Sequence, residues 1–164
     1  MEDSKGYLWF GTSDGLNRYN GYEFEVFRAN PKEKYSLLDN EILALYEDSK
    51  QNIWVGTSQG INKFCFINNN FFSHQHLESD TNSLSDNYIT DIYEDTLTQQ
   101  VWIGTQNGLN LYNAEQENFT RYFPAVNAPP FFNAQEVVAI QQSCLLYTSP
   151  SPRDATLSRM PSSA

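Results

Sequence analysis

Apolar positions along the chain come in short runs broken by polar turns. Residues 42–46 (Ile-Leu-Ala-Leu-Tyr) and 88–93 (Tyr-Ile-Thr-Asp-Ile-Tyr) are short and apolar-rich, as inner β-strands are. A polar turn follows each. Then comes a run such as residues 52–57 (Asn-Ile-Trp-Val-Gly-Thr), whose bulky residues lie on both faces, the pattern of a strand buried between neighbouring sheets. Residues 16–19, 61–66 and 109–112, then 24–28, 71–76 and 119–123, read as outer strands bounded by Asn, Gly and Lys turns. Four short strands per unit result.

The unit repeats. Residues 2–17, Glu-Asp-Ser-Lys-Gly-Tyr-Leu-Trp-Phe-Gly-Thr-Ser-Asp-Gly-Leu-Asn, return at 47–62 as Glu-Asp-Ser-Lys-Gln-Asn-Ile-Trp-Val-Gly-Thr-Ser-Gln-Gly-Ile-Asn. A third copy spans Glu94 to Asn110 with one extra residue between Asp95 and Trp102, which belongs in a turn. Trp9 to Trp54 is 45 residues and Trp54 to Trp102 is 48, a period that suits a four-stranded propeller blade. Asp48 and Ser49 lie where side chains close turns by bonding backbone amides, and Gly15, Gly60 and Gly108 share the register of a tight hairpin that needs positive φ. The expected fold is all-β: a partial β-propeller of about three four-stranded antiparallel blades plus the start of a fourth. Its repeats are placed at 1–28, 36–76 and 83–123, with another opening at 137–143.

With the repeat laid out, Glu-Asp-Ser-x-Gly-x-hydrophobic-Trp-hydrophobic-Gly-Thr-x-x-Gly-Leu-Asn resembles the two-component regulator propeller repeat, three times over residues 1–143. The first copy, with Asn20-Gly21-Tyr22-Glu23-Phe24, resembles the opening blade of such arrays. Gln51-Asn52 departs from the usual glycine turn and residues 96–100 lengthen it in the third copy, so the hairpin type stays open. The resemblance implies seven-bladed propellers, usually paired, in the periplasmic sensor half of hybrid histidine kinases that detect carbohydrate fragments in gut and environmental bacteria. It further implies an inner-membrane, homodimeric parent in which the remaining blades and a second propeller are this segment's partners, with an oligosaccharide ligand whose contact residues are unknown.

Both ends read as interrupted. Met1 falls at the register of Tyr46 and Tyr93, so the first blade lacks its inner strand, and the copy begun at 137–143 never reaches a Trp-Ile-Gly-Thr. From Cys144 the chain shifts to Ser and Pro. Residues 144–164 resemble translated adapter or vector read-through and are expected to be unstructured and non-native.

Composition narrows the function classes. Hydrophobic residues make up 40% and aromatics 15%, enough for a core. Ten Lys+Arg against 20 Asp+Glu leave a formal charge of −10, which argues against nucleic acid and anionic lipid. No stretch approaches the roughly 18 apolar residues of a membrane span, so direct membrane contact by this segment is not expected. Cys65 and Cys144 have no close-spaced partner, which supports neither a disulfide framework nor a zinc ribbon.

Candidate chemistry is weighed against packing. The Glu-Asp pairs could be carboxylate dyads for glycoside hydrolysis, but the same pair in every blade is what a turn produces. His74 and His76 could start a metal site, yet no third ligand is evident and an exposed outer strand fits them better. Trp9, Trp54 and Trp102 could stack on sugars, but they occupy the most apolar strand and are expected to pack between blades. Asn118-Phe119-Thr120 fits a glycosylation acceptor only in a eukaryotic secretory route. No serine-nucleophile elbow, phosphate-cradling loop or kinase signature is present, so no catalytic residue, metal or cofactor is expected. A ligand-sensing propeller segment is the leading reading. The alternative is a scaffold that docks proteins through loops such as residues 29–38 and 124–133.

Overall fold

A computed structural model of the chain describes residues 1–123 and 136–141. The loop expected at 124–133, Cys144 and the tail at 144–164 lie outside the described residues. The first sheet holds β1 (Leu8–Thr12), β2 (Gly15–Tyr19) and β3 (Phe24–Phe27). The second holds β4 (Ile42–Glu47), β5 (Ile53–Thr57), β6 (Gly60–Cys65) and β7 (Asn70–His74), and the third β8 (Ile89–Asp95), β9 (Gln100–Thr105), β10 (Gly108–Asn113) and β11 (Asn118–Tyr122). Each sheet is an antiparallel meander in chain order. The all-β propeller architecture is therefore present, with one sheet of three strands. In place of a full inner strand, Glu2 bridges Leu8 and the Met1 carbonyl accepts from Trp9 N at 2.7 Å.

Turn chemistry accounts for the register. Gly15, Gly60 and Gly108 have φ of 117°, 132° and 112° in the three matching hairpins. The preceding threonine closes each one, Thr57 Oγ1 donating to the Gly60 carbonyl at 2.8 Å. In the earlier hairpin, left open by the sequence, Gln51 (φ 62°) and Gln99 (φ 55°) adopt the left-handed conformation that Gly6 (φ 84°) supplies in the first copy. Inner strands β4 and β8 carry a matching irregularity against their partners, between Ile42 and Ala44 and between Ile89 and Asp91.

Stacking of the sheets explains why β5 is apolar on both faces. Ile53 and Val55 join Trp9, Leu16, Leu37, Phe64 and Phe71 in a core between the first and second sheets. Trp54, one residue out of phase, joins Leu84, Ile89, Ile92, Ile103, Tyr112 and Phe119 in a core between the second and third. All five residues of β5 are buried. β1 buries only Trp9 and leaves Leu8 and Phe10 exposed, since among the described residues no sheet covers its other face.

Candidate functional site

The Glu-Asp-Ser segment divides its work among its three residues. Asp48 closes its own turn: Oδ1 accepts from Lys50 N at 3.0 Å and Asn52 N at 2.8 Å, while Oδ2 accepts from the buried Trp54 Nε1 at 2.8 Å. Asp3 does the same for Lys5, Tyr7 and Trp9. In the third copy, with its longer turn, Asp95 accepts from Leu97 N at 2.9 Å and Thr98 Oγ1 at 2.7 Å. The glutamates reach across the sheets. Glu47 accepts from Ser4 N at 2.7 Å and Ser4 Oγ at 2.6 Å, and Glu94 accepts from Ser49 N and Ser49 Oγ, both at 2.7 Å. Each junction is thus stapled by a serine of one sheet and a glutamate of the next.

These carboxylates are engaged by structural donors in the turns and across the junctions. Glu94 is 4% exposed and Ser4 is an exposed residue, so the inner staple should matter more. We expect Glu94→Ala to cost about 2 kcal/mol and Glu47→Ala about 1 kcal/mol, read as shifts of the urea midpoint.

Cations cap the outer side of both junctions. Arg18 pairs with Glu25 and lies over the rings of Tyr7, Trp9 and Phe64, its guanidinium carbon 5.0–5.4 Å from their centroids. Lys63, at the same repeat position, donates to the Tyr112 hydroxyl at 3.0 Å and reaches Glu117 at 3.3 Å. Burial works against its charge, but the hydrogen bonds and charges of Tyr112 and Glu117 outweigh it and hold the ammonium above the ordinary lysine value.

Two clefts open beside these junctions in matching register. The first, about 480 Å³, is bordered by Glu25, Arg28, Glu33, Lys34, Tyr35 and Asn69, among others. Tyr35 is 43% exposed, with its ring 5.7 Å from that of Phe72. The second, about 180 Å³, has Asn82 where the first has Tyr35, with Asp80, His74 and Glu117 at its border. The connecting segments that frame them are held internally: Ser36 Oγ donates to the Asn30 carbonyl at 2.9 Å, and Ser83 Oγ to the Leu77 carbonyl at 3.1 Å. Buried Asn62 and Asn110 pin the same segments, accepting from Leu38 N at 3.2 Å and Ser85 N at 2.9 Å.

The other singled-out residues fall as follows. Trp9 and Trp54 are buried between sheets, whereas Trp102 is half-buried against Tyr122 at 5.4 Å. The histidine strand is not simply exposed. His74 turns inward against Tyr112 and Phe119, because the third sheet covers it, while His76 Nδ1 lies 2.6 Å from the Leu84 carbonyl. Among the described residues no three His, Cys, Asp or Glu side chains gather as a metal site, and Cys65 is free. Asn118 Nδ2 donates to Gln116. Sequence reading passed over Ser-Leu-x-Asp-Asn at 36–40 and 83–87; its signal was the common register and the buried Leu37 and Leu84. No helix among the described residues is long and apolar enough to cross a membrane.

Known proteins share the repeat and the fold. The sequence profile of the two-component regulator propeller matches residues 36–59 and 83–107. The extracellular domain assigned to the hybrid two component system BT3049 from B. thetaiotaomicron superposes with a TM-score of 0.73 at 27% identity, over 83% of this chain and 19% of that one. Histidine kinase P4 of Formosa agariphila is 44% identical over 36 residues, which are 22% of this chain and 3% of the kinase. PorZ, a surface component of the type-IX secretion system of Porphyromonas gingivalis, shares the fold with a TM-score of 0.58 at 17% identity, over 86% of this chain and 23% of its own. The chain thus spans less than a quarter of each of these relatives. Residues 36–59 and 83–107 thus match the two-component regulator propeller repeat, and the sheet of β1 to β3 is built on the same Glu-Asp-Ser and Trp-x-Gly-Thr plan.

Proposed function

We propose that this chain is a ligand-sensing segment of the periplasmic region of a hybrid two-component regulator, responding to carbohydrate and carrying no catalysis of its own. The observation that carries the reading is the similarity over 83% of the chain to an extracellular domain of a hybrid two component system. The parent is an inner-membrane homodimer in which further blades and a second propeller complete the sensor. Within this segment the ligand takes the cleft beside the first junction, because its exposed Tyr35 offers a face for a sugar ring and Glu33, Lys34 and Asn69 offer polar groups at its border. The second cleft, smaller and with Asn82 in place of tyrosine, is the poorer host.

Binding of the full chain to a panel of plant and host oligosaccharides tests this. A binder should lose about tenfold in affinity in Tyr35→Ala and little in Asn82→Ala. Absence of binding across the panel, or binding insensitive to Tyr35, would overturn the cleft assignment.

A further inference from the structure

The two junctions are built alike except at one position. Phe27 pairs with Leu16 at the end of β3, and His74 pairs with Ile61 at the end of β7, so the two side chains occupy the same place in successive blades. Phe27 meets Phe64 at 5.6 Å and Phe71 at 5.3 Å. His74 meets the corresponding Tyr112 at 6.0 Å and Phe119 at 5.2 Å. An imidazole therefore stands in an aromatic cluster where the preceding blade has a phenyl ring. Its Nε2 is shut off from solvent and has no hydrogen-bond partner among the described residues.

We propose that His74 makes the junction between the second and third sheets a proton-operated joint, closed while the imidazole is neutral and loosened when it takes a proton, whereas the Phe27 junction lacks this response.

A neutral imidazole packs as the aromatic ring of that position. A protonated one places an N–H donor at Nε2, which is shut off from solvent and has no partner among the described residues, although the half-buried ring borders the second cleft. The charged neighbours do not rescue it. Lys63 of β6 adds like charge, and Glu117, from the turn before β11, is shared with Lys63 at 3.3 Å. Tyr112 of β10 already accepts from Lys63, and Asp80 of the connecting segment borders the same cleft without bonding to the ring. Burial first, then Lys63, lower the proton affinity of His74 below the ordinary histidine value of 6.5, with Glu117 opposing. The unfolded chain therefore binds this proton more readily than the folded one. Stability is complete above about pH 6.5 and falls as the pH drops from there towards the folded value.

The test compares urea midpoints of the full chain at pH 7.5 and 5.5 for the native sequence, His74→Phe, His76→Gln and Phe27→His. The native chain and His76→Gln should lose stability on acidification. His74→Phe should show little of that loss, and Phe27→His should show more of it. Hydrogen exchange of the native chain supplies a readout that needs no variant: at pH 5.5, after correction for intrinsic rates, β7, β10 and β11 should lose protection while β1 to β3 keep theirs. An acid loss undiminished in His74→Phe, or exchange rising evenly across the three sheets, would overturn the proposal.

Discussion

Asp48→Ala should lower the stability of the chain by about 3 kcal/mol, a substantial fraction of the roughly 5–15 kcal/mol a domain usually has in hand. The carboxylate has four donors around it: Lys50 N, Asn52 N, Asn52 Nδ2 and Trp54 Nε1. One of the losses cannot be repaired by water. Trp54 is fully buried, so its indole N–H would be left without an acceptor in the core it shares with the third sheet. The turn would also release Gln51, whose left-handed backbone is sustained by the bonds on either side of it. Asp48→Asn separates these contributions. A single amide oxygen can keep either the turn amides or the indole, and its NH2 group faces the other set, so roughly half the loss should remain. Urea unfolding followed by tryptophan fluorescence measures both. If Asp48→Asn matched the native chain, a single acceptor would suffice and the two-sided role assigned to Asp48 would be wrong.

Local chemistry was legible in the sequence where neighbours in the chain decide the outcome. The Gly15, Gly60 and Gly108 hairpins and the Asp48 turn follow from residues within a few positions of one another, and the burial of Trp54 follows from bulky residues on both faces of β5. Contacts between blades were not legible in the same way. Glu94 finds Ser49 across a junction, and nothing in the local pattern separates it from a second turn carboxylate. His74 read as half of an exposed pair because alternation on an edge strand does not say what the next sheet will cover. Aligning Phe27, His74 and Tyr122 by their strand partners, Leu16, Ile61 and Leu109, reveals the common position, and that alignment needs the register of the outer hairpins. The clefts depend on how far Tyr35 and Asn82 project from connecting segments whose shape is set by Ser36 and Ser83, so composition alone could not place them.

Gly56→Ala should cost about 2–3 kcal/mol although alanine is an ordinary residue for a strand. The reason is distance. A Cβ at Gly56 would lie 2.6 Å from Ile89 Cγ2, 2.9 Å from Ile89 Cβ and 3.2 Å from Ala44 Cβ. Ile89 is fully buried and belongs to the core of the second junction, so it cannot withdraw without moving β8 away from β5. The same approach recurs at Gly11, whose Cβ would meet Ile42 Cγ2 at 2.6 Å, and at Gly104, which Val137 Cγ1 approaches to 2.9 Å. The glycine of Trp-x-Gly-Thr is therefore the place where each blade admits the inner segment of the next, which a turn requirement would not explain. Gly21→Ala provides the contrast: its φ is +94° and nothing lies within 4 Å, so only backbone strain of about 1 kcal/mol should appear. A double-mutant cycle decides the cause. If the loss at Gly56 comes from crowding against Ile89, then Ile89→Ala should cost about 1 kcal/mol less in the Gly56→Ala background than alone, because it removes the methyl at 2.6 Å and leaves only the Cβ contact at 2.9 Å. Strict additivity would place the defect in the strand itself and leave the spacing between blades to be set elsewhere.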